Sequence, residues 1–133
     1  MPNLTIASFE DACKNQGLDP TTVLPDVSCL PEVDRKAVIA FAKRCIIQRA
    51  INEDWEADWA DNDQPKYYCW LDVEPDDDGS SGFRLSYYVY DFDYSFTYLG
   101  VRLFYPDAKT ARYEFETFRE MHEDMILIPR LPR

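Results

Sequence analysis

Apolar positions recur along this chain at two periods, and the point where the period changes divides it. From Pro31 to about Asn52 the spacing is helical. Val38, Phe41 and Cys45 fall on one stripe, and Ile39, Ala42, Ile46 and Ala50 on the adjacent one, three and four residues apart. A surface this wide predicts a central helix over about 31–52 that meets other parts of the fold on more than one side. Pro31 supplies its start, and Glu32 and Asp34 complement the helix dipole. Upstream, Ser8 with Glu10 and Asp11 reads as an N-cap and Gly17 as a stop, giving a short helix over about 8–16 that buries Phe9, Ala12 and Cys13. Pro20, Pro25 and Pro31 make the stretch between them an extended connector, with Val23, Leu24, Val27 and Leu30 laid across the core.

After Pro65 the period becomes two. Segments 67–74, 83–92 and 97–105 are rich in aromatic and β-branched residues, and PDDDGSSG and DFDYS break them as turns. The simplest connection is a three-stranded antiparallel meander. Helical spacing returns over about 108–124, behind Pro106 and Asp107, where Ala111, Phe115, Phe118, His122 and Met125 share a face. The expected fold is a single α+β domain over 1–133, of two layers and order α-α-β-β-β-α, with helices covering one sheet face. At 133 residues there is room for one compact core and not for two ordinary domains.

Charge changes the picture more by its placement than by its total. The net charge is −11 and the sequence pI about 4.4, which argues against direct contact with nucleic acid or an anionic membrane surface. Residues 53–78 alone carry −10, eleven acids against Lys66, whereas 31–52 carry +3. Like charges this dense must be solvated, bound to cations, or paired with Arg35, Lys36, Lys43, Arg44 and Arg49, within one molecule or across a dimer. Alternating Asp72, Glu74, Asp76 and Asp78 would align carboxylates along an extended backbone, yet DVEPDDDGSSG lacks the order of a calcium-binding EF-hand loop. No metal or other cofactor is expected.

Aromatic residues are concentrated too: 13 of 20 lie between Tyr67 and Tyr105. With strict alternation, Leu85, Tyr87 and Val89 face one way and Tyr88, Tyr90 and Phe92 the other. Helices cover one face, so the other calls for long loops folded back over it or for a partner. Tyr88, Tyr90 and Phe92, with Trp55 and Trp59 of the acidic segment, are the candidate contact residues.

Catalytic signatures are sparse. Cys13, Cys29, Cys45 and Cys69 form no C-x-x-C pair, and the start MPNLTIASFEDACK has neither the basic nor the apolar region of a secretory signal. Reduced core cysteines in a cytoplasmic protein are therefore expected. No apolar run reaches the roughly 20 residues that span a bilayer. His122, the single histidine, sits near Phe118 and Met125 and reads as a hydrogen-bonded core residue rather than a general base. Four glycines make no phosphate loop, and Ser80 and Ser81 lack the frame of a nucleophile elbow. Paired carboxylates such as Asp91 and Asp93 have the residue types to share acid and base roles, although turn formation explains them equally well and 25 acids offer such pairs by chance.

Three segments together carry a resemblance: DVSCLPEVDRKAVIAFAKRCIIQRAINEDWEADW, then KYYCWLDVE, then YLGVRLFYPDAKTARYEFETFREMHEDMIL. Across about residues 26–127 the chain resembles a group of small proteins encoded in prophages and other mobile elements of gut bacteria. The shared features are a helix ending in N-E-x-W-E-x-D-W (Trp55, Glu56, Asp58 and Trp59 here), K-Y-Y-x-W at a strand start, and G-x-R-L (Gly100, Arg102, Leu103) before a final aromatic helix. The resemblance implies a bacterial or phage cytoplasmic context and brings no activity with it. The leading expectation is a non-enzymatic interaction or accessory protein of a mobile element. It would act through a protein partner or self-association, using the aromatic sheet face and the acidic segment. The alternatives are an acidic nucleic-acid mimic that occupies a DNA-binding protein, and a small hydrolase or carbohydrate-binding module built on Asp91 or Asp93.

Overall fold

The computed structural model describes residues 1–75, 83–93 and 103–128; in strand positions 70, 72, 74, 75 and 83–93 it describes the backbone only. Six elements follow in order: α1 (Phe9–Gln16), α2 (Glu32–Asn52), β1 (Lys66–Pro75), β2 (Phe83–Asp93), α3 (Ala108–Thr117) and α4 (Arg119–Ile126).

Local chemistry sets the ends of α1. Ser8 Oγ accepts the Asp11 N–H at 3.0 Å, and Asp11 Oδ2 accepts the Ala7 N–H at 3.1 Å, a reciprocal cap on otherwise orphaned donors. Gly17 closes the helix at φ 68°, its N–H returning to the carbonyls of Cys13 and Lys14. Nothing lies within 4 Å of where a Cβ would sit at Gly17, so an alanine there meets only the backbone penalty of the left-handed region. Gly17→Ala is expected to cost about 1–2 kcal/mol. Urea denaturation checks this, and an unchanged midpoint refutes it.

α2 is the spine. It packs against α1 and α4, and the core gathers along it: Ala40, Ile46, Ile47, Ala50 and Ile51 from α2, with Ile6, Ala12, Cys13, Tyr105, Ala111, Phe118 and Met121 around them. The two apolar stripes of α2 meet different surroundings. Ile46 and Ala50 of the second stripe are buried, whereas Val38 and Phe41 of the first stay 39% and 44% exposed.

The expected three-stranded meander is not formed among the described residues. β1 and β2 pair antiparallel, and of the predicted third strand, 97–105, only 103–105 is described. There Tyr105 exchanges a single pair of backbone hydrogen bonds with Tyr67, both at 3.0 Å. Tyr105 thus meets the edge of β1 that β2 leaves open, whereas the meander required 97–105 beside β2. On the side away from β1, Gln48 Nε2 and Asn52 Nδ2 of α2 donate to the Phe104 carbonyl at 2.7 and 2.8 Å and tie this end of the segment to the helix. The order α-α-β-β-β-α is corrected as well. The described fold is four helices with one hairpin, not a sheet layer under a helix layer.

The β1–β2 register is interrupted between Cys69 and Leu71, so Leu71 pairs with Tyr87 while Cys69 pairs with Tyr90. One extra residue on β2 breaks the strict alternation on which the two-face assignment of Tyr88, Tyr90 and Phe92 rests.

The final helix also differs from expectation. It breaks at Phe118 (φ −113°, ψ 34°), giving α3 and α4, although the sequence there holds neither proline nor glycine.

Candidate functional site

The break at Phe118 brings two buried ionisable groups together. In a straight helix Glu114 and His122, eight residues apart, would lie about 12 Å apart along the axis. Here His122 Nε2 lies 2.8 Å from Glu114 Oε2 and 3.0 Å from Oε1, with both residues buried. Phe115 supports the imidazole, ring centroids 5.1 Å apart. Burial by itself raises the Glu114 carboxyl, but His122, Arg44 and Tyr105 together outweigh it and hold the group below its ordinary value of 4.5.

This pair belongs to the floor of a cavity of about 400 Å³ between α2, β1, α3 and α4. Arg44, Cys69 and Tyr105 complete the floor, and Tyr68, Leu71, Leu103, Met125 and Ile126 are among its apolar walls. Arg44 is 9% exposed, and its guanidinium has one hydrogen-bond contact, Nη1 to Met125 Sδ at 3.9 Å. Its Nε and His122 Nδ1 are buried with no hydrogen-bond partner among the described residues, and the Tyr105 hydroxyl lies buried beside Arg44 and Glu114. Burial first, then the Glu114 charge, pushes the Tyr105 hydroxyl well above its ordinary value, with Arg44 opposing. Burial, again reinforced by Glu114, pushes the Cys69 thiol up to about 12, and its Sγ donates to the Ala111 carbonyl at 3.3 Å. Cys69 is thus a weak donor rather than a nucleophile.

The aromatic candidates lie elsewhere. Trp59 is half-buried and spent on the fold: it packs edge-on against Phe104 at 5.3 Å, and Lys66 Nζ sits 5.1 Å from its ring centroid. Trp55 is half-buried at the end of α2, lining a groove with Cys45, Gln48 and Arg49. Tyr88, Tyr90 and Phe92 lie on β2, as do Asp91 and Asp93, and their side chains fall outside the described residues. Asp91 and Asp93 pair in register with Tyr68 and Lys66.

The acids of 53–63 form one turn-rich loop that organises itself. Asp58 and Asp61 carboxylates accept the backbone N–H groups of Ala60 and Asp63, and Lys66 Nζ donates to the carbonyls of Asp61 and Gln64. Among the described residues these acids make no ion pair with the cations of α2. Of the calcium candidates, Asp76 and Asp78 lie outside the described residues, as do the side chains of Asp72 and Glu74. Groups of three or more potential metal ligands are absent among the described residues. The cysteines are free, and Cys29 is exposed rather than in the core.

Sequence reasoning placed His122 in the core but missed its partners. Arg44, Tyr105 and Glu114 come from three separate parts of the chain, and no local spacing joins them. Among the described residues no helix is long and apolar enough to cross a membrane. In comparisons with protein-family models, curated proteins and solved structures, nothing matches this chain.

Proposed function

We propose that this chain is a non-enzymatic interaction protein, acting as an accessory protein of a bacterial mobile element, whose docking partner is a second copy of itself. The observation that carries this reading is a strip along the open side of α2: Asp34, Val38, Phe41, Cys45 and Arg49. Their spacings of 4, 3, 4 and 4 place them on one helix face. Val38 and Phe41 are exposed and apolar, Asp34 and Arg49 are exposed and opposite in charge, and Cys45 is half-buried. Asp34 lies seven residues before Phe41 and Arg49 eight after. A two-fold axis near Phe41 with the helices antiparallel therefore sets each Asp34 against the other copy's Arg49, with the apolar residues between them. Self-complementarity of this kind is what an isologous dimer requires.

The reading does not rest on Tyr88, Tyr90 and Phe92 of β2, whose side chains lie outside the described residues. Neither the nucleic-acid mimic nor the hydrolase gains an observation of its own: the described acids of 53–63 sit on one loop, and nothing is described of the Asp91 and Asp93 side chains.

Light scattering after size exclusion tests the proposal. The wild-type chain is expected to be dimeric, and Phe41→Glu monomeric with unchanged circular dichroism. Asp34→Arg is expected to weaken the dimer, and Asp34→Arg combined with Arg49→Asp to restore it. A wild-type monomer at about 1 mM, where a contact of only about 4 kcal/mol would register, overturns the reading.

A further inference from the structure

Arg44 presents a problem that the rest of the fold does not solve. A guanidinium carries five donors and a permanent charge, and removing it from water is costly unless an anion or several acceptors replace the solvent. Arg44 Nη1 reaches a thioether sulfur at 3.9 Å, and its buried Nε has no hydrogen-bond partner among the described residues. Glu114 lends it charge, but both carboxylate oxygens lie within hydrogen-bond distance of His122 Nε2 and leave the guanidinium Nε unpartnered. The Nε edge of the guanidinium, half of the fork that grips a carboxylate from the side, is unoccupied. Beside it stands the buried Tyr105 hydroxyl, close enough to Arg44 and Glu114 to feel both charges. Above both lies a cavity of about 400 Å³ with apolar walls, including Leu71 and Ile126. That volume falls within the range of small-molecule sites, and a few convergent polar groups on an apolar lining are their usual composition.

We infer that this cavity is a binding site for a small amphipathic carboxylate, its anionic head held by Arg44 and Tyr105 and its hydrocarbon body against the apolar walls. The alternatives fail on chemistry. A neutral apolar ligand leaves the Nε edge of Arg44 without an acceptor, and a small hydrophilic anion leaves the apolar wall bare. The inference stands independently of self-association, since the strip on α2 does not line this cavity.

Sodium octanoate and octanol serve as probes, alike in body and different in head. Titrated into the full wild-type chain labelled with nitrogen-15 arginine, octanoate is expected to shift one arginine Nε resonance and to bind about tenfold more tightly than octanol, as a charge-assisted fork requires. Arg44→Met is expected to remove that resonance and the preference for octanoate. Leu71→Trp, which fills the cavity and leaves the cluster intact, is expected to abolish binding of both probes. Equal affinity of the two probes, an unmoved Nε spectrum in the wild type, or octanoate binding that survives Leu71→Trp overturns the assignment. The wild-type spectrum decides the matter even where Arg44→Met does not fold.

Discussion

Phe115→Ala is expected to be among the most destabilising substitutions in this chain, at about 3–5 kcal/mol. Phe115 is fully buried, its ring lies against the His122 imidazole with centroids 5.1 Å apart, and the Arg119 guanidinium stands 5.7 Å from its centroid. Truncation to alanine removes the burial of the whole ring and leaves a hole beneath α4. The break at Phe118 fixes the angle between α3 and α4, so the helices cannot slide together to close that hole. Since small domains are stable by only about 5–15 kcal/mol, the loss is a large share of the total. A fall in Tm of roughly 10–20 °C is expected by circular dichroism. Lys109→Ala, on the exposed side of the same helix, is expected to stay within about 0.5 kcal/mol of the wild type. A Phe115→Ala variant as stable as the lysine variant would show that the α3–α4 junction collapses freely.

Glu114→Leu carries the second large effect, and its pH dependence makes it diagnostic. Removing one partner of a buried pair leaves the other without compensation, and such breaks cost about 3–5 kcal/mol. Both carboxylate oxygens of Glu114 contact His122 Nε2, and Arg44 adds its charge to the same surroundings. The folded carboxyl titrates below its unfolded value of 4.5 despite its burial, because His122 above all favours the ionised form. A lowered folded value means that the unfolded chain takes up the proton first as the pH falls. The stabilisation from ionised Glu114 is therefore complete above about pH 4.5 and is lost progressively as the pH drops through the lower folded value. Urea denaturation of wild type and Glu114→Leu from pH 7 to pH 3 is expected to show the gap between them narrowing below about pH 4.5. A gap that is constant across that range would mean that the pair contributes by shape and not by charge.

The two effects share an origin in the unmarked break at Phe118. A run without glycine or proline continues as one helix by any local rule, and the face formed by Ala111, Phe115, Phe118 and His122 is consistent with that. What a local rule cannot weigh is the gain from bending: Phe118 and Met121 join the core along α2, and His122 reaches Glu114. The end of the expected third strand is placed by contacts of the same kind. Composition suits 103–105 to a strand but does not choose its neighbour, and Tyr105 pairs with Tyr67 of β1 while Gln48 and Asn52, 56 and 52 residues away, hold the Phe104 carbonyl. The interrupted β1–β2 register belongs to the same class, since alternation along one strand carries no information about an extra residue opposite.

By itself the sequence determined what short-range chemistry controls: Ser8 and Gly17 as the ends of α1, Pro31 as the entry to α2, Asp107 as the cap of α3, and the acidic block at 53–78. Caps, proline and clustered charge act over three or four residues, and such effects are written into neighbouring positions. The tertiary structure alone decided which stripe of α2 stays open, where the last helix bends, and that Arg44, Tyr105, Glu114 and His122 share one cavity floor. Those outcomes depend on burial and on competition for hydrogen bonds among groups tens of residues apart, and neither exists until the chain has folded.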